Sequence, residues 1–94
     1  MKNVFTGQFT SAAGAEEVIE LGCAVSYVKV YNVTTNITYE LINDGTNTED
    51  IITTGSTGVI TTGGANITLN DNGFDVAAAA LSASDVCTYV AFRL

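Results

Sequence analysis

The chain has 94 residues, three Lys+Arg against ten Asp+Glu for a formal charge of −7, and no His, Pro or Trp. The length suits one domain, residues 1–94. The acidity opposes binding to nucleic acid or to an anionic membrane, and the missing His removes the commonest general base and neutral metal ligand. Hydrophobic residues make up 47%, which argues for folding, while charged ones make up only 14% against the ~25% usual in a soluble domain. The surface is therefore expected to consist of Thr, Asn, Ser, Gly and small apolar groups, or to be covered by another chain.

In chain order, the sequence reads as strands throughout. Val4 to Phe9 and Glu17 to Leu21 are short β segments rich in Val, Ile, Phe and Thr. Tyr27 to Val33 alternates cleanly, with Val28, Val30 and Asn32 on one side and Tyr27, Lys29, Tyr31 and Val33 on the other. Ile37 to Ile42 follows, with Ile37, Tyr39 and Leu41 sharing a face. Asn43 to Asp50 is polar and acidic and reads as the longest loop. Val59 to Thr62 and Ala65 to Leu69 are two short strands whose Gly63-Gly64 connection suggests a hairpin. Asn72-Gly73 is the strongest hairpin signal and leads into a strand at Phe74 to Ala78. Val76 to Ser84 contains four consecutive alanines with helix propensity but no good cap, so a small-residue strand and turn is the preferred reading over a helix. Val86 to Arg93 closes the chain, with Val86, Thr88, Val90 and Phe92 opposed to Cys87, Tyr89, Ala91 and Arg93. About eight short strands at this spacing predict an all-β fold, an antiparallel β-sandwich or small barrel.

Candidate chemistry is sparse. Cys23 and Cys87 have no metal-ligand spacing and no His beside them; two thiols acting as small hydrophobes are the preferred reading, with a disulfide as the alternative. Asn70-Asp71-Asn72-Gly73-Phe74-Asp75 lacks the Glu of a calcium loop and reads better as a turn whose Asx side chains cap their own backbone. The serines have no activating base and no nucleophile-elbow motif, and the glycines form no phosphate cradle. No catalytic residue, cofactor site or metal site is expected, and the chain is not expected to be an enzyme. No apolar run reaches membrane-spanning length, and the N-terminus lacks the apolar stretch of a signal peptide, so synthesis in the cytoplasm is expected.

Val4-Phe5-Thr6-Gly7-Gln8-Phe9, then Glu17-Val18-Ile19-Glu20-Leu21-Gly22 leading into Val28-Lys29-Val30-Tyr31-Asn32, resembles the opening of small virion-surface proteins of tailed bacteriophages. The pattern continues through Asn72-Gly73-Phe74-Asp75-Val76 to Tyr89-Val90-Ala91-Phe92-Arg93, although Cys23-Ala24-Val25 stands where a proline follows the Leu-Gly turn in such proteins. The resemblance implies a capsid decoration (cement) protein, bound with the major capsid protein on the outer surface of a phage head and assembled as a homotrimer. Its location would then be the virion surface after synthesis in the host cytoplasm. Residues 1–9 are a candidate arm or first strand against neighbours, and Phe5, Phe9 and Tyr31 are candidate capsid or subunit contacts. A tail-fibre or tail-tip module and a carbohydrate-binding β-sandwich are the alternatives.

Overall fold

A computed structural model describes residues 3–12, 15–42, 51–64 and 66–93. Nine strands form two antiparallel sheets: β1 (Val4–Thr10), β2 (Glu17–Glu20), β3 (Tyr27–Asn32), β4 (Ile37–Ile42), β5 (Ile51–Thr54), β6 (Val59–Thr62), β7 (Ile67–Asn70), β8 (Gly73–Val76) and β9 (Val86–Phe92). The larger sheet has the order β1-β9-β3-β4-β5-β6 and the smaller β2-β8-β7. The fold is all-β and has the form of a small sandwich. The four-alanine stretch makes one 3-10 turn, Ala78–Ala80, and no α-helix occurs among the described residues.

Alternation decides which side chains enter the core. Val28, Val30 and Asn32 on β3, Tyr39 and Leu41 on β4, and Cys87 and Ala91 on β9 are buried together, as their period of two predicts. The smaller sheet supplies Ile67, Phe74 and Val76 from the other side. Each large apolar side chain so buried contributes roughly 1.5–3 kcal/mol. Tyr89 packs edge-on against Phe74 with ring centroids 5.3 Å apart. Its ring lies over Gly7, its cross-strand partner on β1, where a Cβ would overlap the phenol.

Two turns differ from the expected ones. The β7–β8 hairpin exists, but Asp71-Asn72 forms its loop, and Asn70 and Gly73 close it as a cross-strand pair. The Asn70 side chain caps the Asn72 N–H at 2.8 Å, and the freed Asn72 carbonyl accepts from Leu21 and Gly22 at 2.7 and 3.0 Å, which ties the end of β2 to this turn. Gly73 is needed at the next position: its φ is +154°, and a Cβ there would overlap the Ile19 carbonyl oxygen on β2. Gly63-Gly64 does not close a hairpin. It carries the chain from β6 in the larger sheet to β7 in the smaller one. The hairpin partner of β6 is β5, a strand the sequence pattern did not single out, joined by a turn in which the Gly58 N–H donates to the Thr54 carbonyl at 2.8 Å. The expected loop over 43–50 lies outside the described residues, as does Ala65.

Candidate functional site

The outward face of the six-stranded sheet is the wider of the two sheet faces, and strand register sorts its side chains into rows. Val4 pairs with Phe92, Phe92 with Tyr27, and Tyr27 with Ile42, so four apolar or aromatic groups from β1, β9, β3 and β4 form one continuous stripe. Three spacings of ~4.8 Å make the stripe ~14 Å wide between its outer strands. Val4, Phe92 and Ile42 remain 48%, 37% and 49% exposed, so the stripe is apolar surface left in contact with water. The Tyr27 and Phe92 rings lean together at 5.3 Å and 36°.

The next row places Lys29 opposite Glu40, and these are the only charges on this face among the described residues. Glu40 also accepts a 2.6 Å hydrogen bond from the Tyr27 hydroxyl. Partial burial, followed by that hydrogen bond and the Glu40 charge, pushes the Tyr27 phenol up from 10.0 to about 12. Among the described residues the face thus carries one charge of each sign, and its one carboxylate is held by the Tyr27 hydroxyl.

Charge collects on the opposite side. The smaller sheet and its flanks carry Glu16, Glu17, Glu20, Asp71 and Asp75, with no Lys or Arg among the described residues of those segments. The two faces therefore differ in kind: the wide one carries an apolar stripe among Thr and Gln side chains with one Lys29 and one Glu40, and the narrow one presents the acids Glu20 and Asp75, Glu17 standing on the inward side of β2 opposite Val76.

A polar cluster closes one end of the sandwich. The buried Asp85 carboxylate accepts from the Asn32 amide at 2.9 Å and from the Ser82 N–H at 2.8 Å, while Asn32 accepts from the Thr35 N–H at 3.2 Å. The Ser11 hydroxyl accepts from the Asp85 N–H at 3.0 Å and donates to the Ser82 carbonyl. These groups bond to one another and tie the end of β1, the β3–β4 turn and the segment before β9 together, which is a structural latch. Beside it, burial followed by the charges of Asp85 and Glu17 pushes the Cys87 thiol up from 9.0 to about 11. Cys23 and Cys87 are both free thiols; Cys87 is on β9, but Cys23 lies in a bend after β2 and not on a strand. No group of His, Cys, Asp and Glu among the described residues is placed to hold a metal ion.

The structure separates the three residues singled out as contacts. Phe5 and Phe9 point inward from β1, an edge strand of the larger sheet, and pack partly buried against the core. The seven-residue pairing of β1 with β9 makes residues 4–9 the first strand of the sheet, one of the two forms expected for this segment; Met1 and Lys2 lie outside the described residues. Tyr31 does stand on the outward face, but its hydroxyl donates to the Asn36 side chain at 2.9 Å and supports the β3–β4 turn. The stripe of Val4, Tyr27, Ile42 and Phe92 was not identified from sequence. Each residue sits in an ordinary alternating strand, and only the cross-strand register joins them. No protein-family model, curated protein or solved structure matches the chain.

Proposed function

We propose that the chain is a capsid decoration (cement) protein of a tailed phage, lying on the outer surface of the head. Its six-stranded sheet faces the major capsid protein, and its acidic three-stranded sheet faces solvent. The observation that carries this reading is the segregation of charge between the two faces. The centre of a protein interface is depleted of charge, as the outward face of the larger sheet is. The acids on the far side keep a chain of net charge −7 soluble and hold decorated particles apart.

Magnitudes set what such docking needs. Six strands at ~4.8 Å spacing and ~20 Å length present ~500 Å² per partner, so the pair buries ~1,000 Å², near the lower limit for a specific interface. A single copy is then a modest binder, and contacts between copies raise occupancy by avidity. This supports a homo-oligomer on the shell; the trimer implied by the resemblance is one form of it.

A carbohydrate-binding role draws some support from Tyr27, Tyr31 and Phe92 on the same face. Against it, both tyrosine hydroxyls are bound within the protein and the Tyr27 and Phe92 rings are tilted together, so they form no flat stacking platform. The test of the main reading is the number of copies per virion, measured by quantitative mass spectrometry. Hundreds are expected. A handful would mean a tail part and overturn the head assignment.

A further inference from the structure

The β5–β6 hairpin stands apart from the rest of the larger sheet. The smaller sheet reaches β4 through β7, whereas every residue of β6 is exposed, with Val59 at 51% and Ile60 at 67%. Val59 and Thr61 lie on the inward side and Ile60 and Thr62 on the outward side, so apolar groups meet water on both faces of an edge strand. Among the described residues, that edge has no Pro, Lys or bulge to discourage pairing with another chain. No charged residue occurs anywhere between Ile51 and Asn70. In a chain of net charge −7, this is the longest stretch of sequence without a charge, so an edge built from it brings no like charges of its own against a second copy.

We infer that β6 pairs with β6 of a second copy, antiparallel about a twofold axis, to join two six-stranded sheets edge to edge. This deepens the homo-oligomeric part of the function proposed above and rests on it only for its role on a capsid. The occupant is a second copy because the neutral edge matches itself, whereas a basic partner would be drawn to the acidic sheet. The symmetry follows from the twist of the sheet. Pairing β6 with the opposite edge, β1, would translate each added copy as it rotates and would build an open filament. Pairing β6 with β6 closes at two copies.

Register follows as well. Opposed residues must share a face, so the axis passes through a residue position. Centred on Ile60, it sets Ile60 against the partner's Ile60 on the outward face and Val59 against the partner's Thr61 on the inward face. Centred on Thr61, it would leave Val59 opposite the partner's Gly63 and cover less apolar surface. The four-residue strand is only ~14 Å long, so the contact falls well below the area of a stable dimer, and association in free solution is weak and concentration-dependent.

The test uses the intact chain in free solution, so that it does not depend on whether the chain binds heads. Sedimentation up to millimolar concentration should show a monomer–dimer equilibrium. Ile60→Lys, which opposes like charges across the axis, should weaken dimerisation by about tenfold or more while leaving the melting transition in place. In a Cys23→Ser background, Ile60→Cys should oxidise to a disulfide-linked dimer faster than Val18→Cys, a comparably exposed position on the smaller sheet. A wild-type monomer at millimolar concentration, species growing past the dimer, or equal crosslinking at both positions would overturn the inference.

Discussion

Gly73 shows how one residue fixes the union of two strands. Its φ of +154° and its closeness to the Ile19 carbonyl leave no space for a side chain, so Gly73→Ala must push β2 away from β8. A loss of about 2 kcal/mol or more is expected in urea unfolding. Asn32 has a different role: it is buried, and it donates to the Asp85 carboxylate and accepts from the Thr35 N–H. Asn32→Ala leaves that carboxylate short of a donor in the interior, at a cost of about 2–3 kcal/mol by the same measurement.

Tyr27 and Cys87 give the fold a defined alkaline response. Both pKa values are raised on folding, so the native state holds these protons longer than the unfolded chain does. Their stabilisation is complete below the unfolded values. It is lost as pH rises from 9.0 to about 11 for Cys87 and from 10.0 to about 12 for Tyr27. Stability measured across this range should fall with pH, and Tyr27→Phe should flatten the upper part of the decline. An unchanged slope in the variant would contradict a Tyr27 phenol raised by burial and by Glu40 in the folded state.

At the scale of elements, β3, β4 and β9 were legible because their alternation is local and one face of each is buried. The faces assigned from period two are the faces that enter the core. The strand β5 was not legible, since Ile51-Ile52-Thr53-Thr54 is short and acquires its meaning from pairing with β4 and β6. Gly63-Gly64 misled for a related reason. A glycine pair marks a change of direction, but whether the chain returns along the same sheet or crosses to the other depends on contacts distant in sequence. Residues 1–9 read equally as an arm or a first strand because β1 has its partner, β9, at the far end of the chain. Removing residues 1–9 would therefore strip β9 of one of its two neighbours and uncover the part of the core that Phe5 and Phe9 pack against. The truncated chain is expected to lose its cooperative melting transition by circular dichroism, and a stable, fully folded truncation would contradict the placement of β1.

At the scale of the whole molecule, the low charge content has a spatial meaning that composition alone does not carry. Among the described residues the charges are few and partly sorted: Glu16, Glu17, Glu20, Asp71 and Asp75 lie on and around the smaller sheet, Lys29 stands opposite Glu40 on the larger, Asp85 is buried in the latch and Arg93 follows β9. The stripe of Val4, Phe92, Tyr27 and Ile42 lies at the centre of the account, because it is where an uncharged partner surface would gain most. The most direct test is a binding measurement on undecorated heads, comparing the wild-type chain with Ile42→Glu on the stripe and Val18→Glu on the acidic sheet. Both substitutions change the net charge equally, so only the face differs. Val18→Glu is expected to bind like the wild type and Ile42→Glu about tenfold more weakly or worse. Equal binding by all three, or a loss confined to Val18→Glu, would contradict it.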